Sequence, residues 1–238
     1  MNRCKEFFKN NLNIVPISKW HHYFDIYDRH FFKYKNTNPT ILEIGTYYGG
    51  GSEMLNYYFE NKCNIVTIDV DIPLDFTVMK KHENIKFFQG NQTDIVFLNE
   101  LKSKYNSFDI IIDDGGHSMK DQIISFKNLY YHLSDNGTYL IEDVHTSYWP
   151  SYGGGVEKSN TFIEFTKKLI DRLNVWHWQQ PFLQEDLIFC KKTDSIHYHD
   201  SIIVIEKRPE TNKPICEGKG FNGRIWDDNA NWLNNLKK

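Results

Sequence analysis

The chain has 238 residues, with 28 Lys and Arg against 31 Asp and Glu and a formal net charge of −3. That length buries a substantial core without disulfide or metal staples. The charge balance gives no whole-chain attraction to a polyanion, so nucleic acid is not an expected partner. The four cysteines, Cys4, Cys63, Cys190 and Cys216, form no CxxC pair and no disulfide-dense pattern. No signal-peptide apolar region follows Arg3, Lys5 and Lys9, and no stretch is apolar for the length of a bilayer span, so a soluble cytoplasmic protein is expected.

In chain order, Lys19 to Lys35 sets Trp20, Tyr23, Phe24, Tyr27, Phe31 and Tyr34 at three- and four-residue steps, predicting an amphipathic helix packed on the main domain. From Thr40 short apolar strands alternate with helical patterns. The predicted strands are 40–45, 64–69, 85–89, 108–113 and 137–142; among the helices between them, 119–133 turns Ile123, Phe126, Leu129 and Tyr130 to one face. Five βα steps in a row predict an α/β fold with a doubly wound, mostly parallel sheet. After Pro150 come three glycines, Gly153 to Gly155, then a helix near 159–174. The short runs 186–190, 195–199 and 202–207 read as β-like and suggest a closing antiparallel hairpin. With no repeat or linker in sight, one domain spans 1–238: a helical extension over 1–38, a core over 39–207 and a tail over 208–238.

In such sheets a ligand binds beyond the carboxyl ends of the strands, near the switch in strand order. The first strand ends in Glu43-Ile-Gly45-Thr46-Tyr-Tyr-Gly49-Gly50-Gly51-Ser52. Its glycines let backbone approach a ligand, Glu43 can meet a cationic group, and Ser52 can cap the next helix. Asp69, with Asp71 as the alternative, closes the second strand where an acid can accept ribose hydroxyls. Gln92, after the third strand, suits an adenine edge, and Asp113 at the end of the fourth is also assigned to the cofactor. The ExGxxxGGGS loop resembles the first motif of class I methyltransferases, which holds the methionine part of S-adenosylmethionine.

The fourth strand runs into Asp113-Asp114-Gly115-Gly116-His117 and the fifth into Glu142-Asp143-Val144-His145. Adjacent strand ends would bring Asp114, Glu142 and Asp143 together, a costly cluster unless a cation neutralises it. All-oxygen ligands suit Mg²⁺, Mn²⁺ or Ca²⁺. A metal with open positions can take two neighbouring hydroxyls of an acceptor, and His117 is placed as the base, because imidazole as a class exchanges protons near neutrality. His145, Tyr148 and Trp149 are assigned to the acceptor, because aromatic faces pack on the C–H faces of sugars.

Asp113-Asp-Gly-Gly-His117 followed by Glu142-Asp-Val-His-Thr-Ser-Tyr-Trp149 is similar to the macrolide-sugar and rhamnosyl O-methyltransferases. The likeness spans roughly Trp20 to Lys207 and departs at Gly116, where serine is expected, and at the extra glycine Gly51. It implies a Rossmann-like seven-stranded sheet, S-adenosylmethionine and Mg²⁺ as cofactors, Asp114, Glu142 and Asp143 as metal ligands, and His117 as the base that helps methylate a sugar or glycoside hydroxyl. A homo-oligomer is left open. The alternatives are a catechol-type O-methyltransferase, whose usual lysine and Asp-Asn pair are not found here, and a noncatalytic S-adenosylmethionine-binding module.

Overall fold

The computed structural model describes residues 2–12, 14–71 and 81–214; Cys216 and most of the expected tail lie outside the described residues. Two helices lead, α1 (Arg3–Asn11) and α2 (Tyr23–Phe31). There follow β1 (Thr40–Ile44), α3 (Gly50–Tyr58), β2 (Asn64–Asp69), β3 (Ile85–Gln89), α4 (Ile95–Lys104), β4 (Phe108–Asp113), α5 (Met119–Leu129) and β5 (Leu133–Ile141). The chain continues with α6 (Phe162–Leu173), α7 (Gln184–Lys192), β6 (Thr193–Tyr198) and β7 (Ile203–Lys207).

The seven strands form one sheet in the order β3-β2-β1-β4-β5-β7-β6. β1 to β5 run parallel, and β7 pairs antiparallel with both β5 and β6. Strand order reverses between β1 and β4, which opens the crevice where such sheets take ligands.

Side chains alternate across the central strands, so both faces are apolar. Ile41, Ile65, Ile110 and Ile112 join Tyr23, Tyr27, Phe31, Met54 and Leu55 in the core beneath α1 to α3. Leu42, Ile44, Val66 and Ile111 face Leu98, Phe126, Leu129 and Phe162 beneath α4 to α6.

The strands expected at 40–45, 64–69, 85–89, 108–113 and 202–207 are found to within a residue, while other elements differ. β5 begins at Leu133 rather than 137, carried through Ser134-Asp-Asn136 by a register irregularity opposite Phe108 and Ile110. The expected 19–35 helix starts only at Tyr23 and tightens to a 3-10 turn at Phe32–Tyr34. The run 186–190, β-like in sequence, is part of α7: Asp186 accepts the backbone N–H of Leu183 at 3.0 Å and Arg172 Nε at 2.6 Å, fixing a helical first turn. Among the described residues no helix is long and apolar enough to cross a membrane.

Candidate active site

The cofactor end of the crevice is a cleft of about 240 Å³ lined by Gly45, Asp69, Asn91, Gln92, Gly115 and Asp121, among others. Gly45 has φ +92°, and a Cβ there would lie 2.0 Å from the Asp114 carbonyl oxygen, so only glycine lets the β1 loop cross the β4 loop. Asp69 Oδ2 accepts the backbone N–H groups of Thr46 and Tyr47, each at 2.9 Å, and so fixes that loop. Gln92 spans the cleft floor, donating to Asp113 Oδ1 (3.1 Å) and Ser125 Oγ (2.8 Å) while accepting Gly116 N–H (2.7 Å).

Of the residues assigned to the cofactor, Gly45, Asp69 and Gln92 line this cleft, whereas Glu43, Thr46, Gly49, Ser52 and Asp113 do not. Gly49, at φ +85°, turns the chain into α3, and its backbone rather than Ser52 caps that helix. Ser52 instead donates to Glu43 inside the core. Burial pushes Glu43 up to about 7 against the lowering effect of that hydrogen bond. The additional glycine, Gly51, acquires a reason: a Cβ there would lie 2.1 Å from Glu43 Oε1. Burial likewise raises Asp113 to about 7, although Gln92 stabilises its charge.

The acceptor end is built by the ends of β4 and β5. Two non-glycine residues here hold left-handed backbone, His117 at φ +53° and Asp143 at φ +52°. Such conformations are sparsely populated, and Thr146 pins both by donating its hydroxyl to the His117 and Asp143 carbonyls at 2.8 and 2.9 Å. His117 Nε2 lies 3.7 Å from both Asp114 Oδ1 and Asp143 Oδ2. Ligand atoms of these three residues fall within 4.8 Å of one another, so the donor set fits a hard divalent cation supplemented by one imidazole. His117 Nδ1 is buried without a hydrogen-bond partner.

Glu142, the third expected ligand, is not one of that group but is joined to Asp114 through Lys19. It is buried, accepts the hydroxyl of Tyr27, and accepts Lys19 Nζ at 3.0 and 2.8 Å; Lys19 also donates to Asp114 Oδ2. Burial works against the Lys19 charge, yet the Asp114 and Glu142 carboxylates outweigh it and hold the ammonium above its ordinary range. One ammonium cannot neutralise two carboxylates, so Glu142 stays raised by burial and by the charge of Asp114. Tyr23 donates to Asp143 Oδ1 at 2.5 Å.

In the sequence, Lys19, Tyr23 and Tyr27 belong only to a segment that packs; the signal for a site role is their polar atoms on an otherwise core-facing stripe. Of the residues assigned to the acceptor, His145 and Trp149 join Trp20 in a run of ring contacts: Trp20 meets His145 edge-on at 6.0 Å between centroids, and His145 meets Trp149 at 4.5 Å. Tyr148 and Trp149 are exposed.

Against known proteins, the chain is 36% identical over 204 residues to a demethylmacrocin O-methyltransferase of Streptomyces fradiae, covering 79% of this chain and 50% of that one. It is also 36% identical over 159 residues to the mycinamicin VI 2''-O-methyltransferase of Micromonospora griseorubida, covering 62% of this chain and 38% of the relative. Its fold matches the MycE methyltransferase of the mycinamycin pathway, solved with Mg, S-adenosylhomocysteine and mycinamycin VI, with TM-score 0.75 and 28% identity over 90% of this chain and 57% of that one. The chain is similar in sequence and fold to these O-methyltransferases. No family model matches it. It spans about half the length, or less, of the curated sugar O-methyltransferases it matches. The expected fold class and family resemblance are borne out.

Proposed function

We propose that this chain is an S-adenosylmethionine-dependent O-methyltransferase that acts, with a divalent cation, on a hydroxyl of a sugar or glycoside. The observation that carries the reading is the juncture of Asp114, His117 and Asp143 on strained strand ends next to a glycine-crossed cleft at the switch point. Gly45 and Gly115 bring backbone close to a bound cofactor, and Asp69 holds the loop around it. S-adenosylmethionine, when bound, supplies a methyl group already activated on a sulfonium. Mg²⁺, when bound by Asp114 and Asp143 with Glu142 nearby, lowers the pKa of a coordinated hydroxyl. His117 takes the hydroxyl proton at Nε2, and the Trp20, His145 and Trp149 rings orient the acceptor. A single methyltransferase domain over 1–238 fits the reading.

The test is calorimetric titration with S-adenosylmethionine, followed by methyl-transfer assays on a panel of rhamnosides and macrolide glycosides with Mg²⁺ or with chelator. Cofactor binding with metal-dependent transfer is expected. Absence of cofactor binding would sink the assignment, and transfer indifferent to chelator would remove the metal from it.

A further inference from the structure

The acidic cluster already holds a positive charge, and that charge belongs to the chain. Lys19 reaches in from the segment before α2 with a side chain only 6% exposed, and its Nζ contacts Asp114 Oδ2 and both oxygens of Glu142. The segment is fastened close by: Tyr23 and Tyr27 donate to Asp143 and Glu142, and Trp20 rests edge-on against His145. Asp114 is the shared group. Its Oδ2 faces Lys19 while its Oδ1 faces His117 Nε2.

An ammonium and a divalent cation that both contact Asp114 would stand within a few ångströms of each other in a half-buried site, where like charges are poorly screened. We propose that Lys19 is an intramolecular competitor of the divalent cation, pairing with Asp114 and Glu142 when metal is absent and leaving them when metal engages. The inference rests on the metal-assisted reading above. It makes the Ser18 to Trp20 segment a reporter of metal occupancy. That segment lines the 310 Å³ pocket above Asp114, Glu142 and Asp143, so metal binding and the shape of the acceptor pocket are coupled through Lys19.

Two measurements on the full chain test this, with Mn²⁺ as the probe. Calorimetry compares Mn²⁺ affinity of the wild type and Lys19→Met, with tightening of tenfold or more expected in the variant. Acylation of wild-type lysines, read by peptide mass spectrometry, follows Lys19 directly: protected in chelator, it should become labelled as Mn²⁺ saturates. This second measurement stands even if Lys19→Met fails to fold. Equal or weaker binding by a folded Lys19→Met, or Lys19 labelling unmoved by bound Mn²⁺, overturns the inference and leaves the metal-assisted reading intact. Binding of Mn²⁺ to neither protein overturns both.

Discussion

Tyr27 donates its hydroxyl to the buried carboxylate of Glu142, linking α2 to the end of β5. A hydrogen bond to a buried charged group contributes about 1.5–3 kcal/mol, and its loss leaves Glu142 with Lys19 as its remaining side-chain donor. Tyr27→Phe, which keeps the ring stacked on Phe31, is therefore expected to lower unfolding stability by that amount without reshaping the core. Urea unfolding with an unchanged m-value checks it; a loss below about 0.5 kcal/mol would show that the bond contributes little.

Glu43 gives a pH signature. Its folded pKa stands near 7 against an ordinary 4.5, so between those values the folded state binds the extra proton. Stability from this group is full below about 4.5 and declines as pH rises through 7. At roughly 1.4 kcal/mol per unit the decline is at most about 3.5 kcal/mol. Glu43→Gln should flatten the stability profile between about pH 5 and 8 in the cofactor-free protein. An identical slope in both proteins would assign the titration elsewhere.

Much of the parallel core is legible because apolar runs such as Thr40–Ile44 and Phe108–Asp113 end in glycine or acid, marking strand ends without ambiguity. The run 186–190 is not, since five residues with Leu187, Ile188 and Phe189 fit a strand as well as a buried helical turn; the Asp186 cap and Arg172 decide it. At the site, neighbouring residues in sequence, such as Asp114 and His117, can be placed together. Lys19 cannot: its partners lie 95 and 123 positions away, and no local pattern encodes a contact of that span.

Gly45 makes the tightest approach to backbone at the cofactor end. Gly45→Ala places a Cβ 2.0 Å from the Asp114 carbonyl on backbone at φ +92°, so the β1 or β4 loop must shift. Affinity for S-adenosylmethionine should fall tenfold or more while the circular dichroism spectrum is retained. Unchanged affinity by calorimetry would mean that the loop crossing does not shape the cofactor cleft.

His117 is the residue on which the proposed proton transfer depends, and its backbone complicates the obvious variant. At φ +53° an alanine carries strain that the reaction does not explain, whereas asparagine tolerates the left-handed region. His117→Asn should therefore preserve the strand end, with its Thr146 hydrogen bond, while removing the imidazole. A positioned base contributes about 10²–10⁴-fold, so kcat should fall by that factor with the S-adenosylmethionine Kd unchanged. Raising pH should restore part of the rate as solvent hydroxide takes over the proton. A fall in Mn²⁺ affinity in parallel with kcat would instead make His117 a metal ligand beside Asp114 and Asp143, and a kcat within tenfold of wild type would remove it from the reaction.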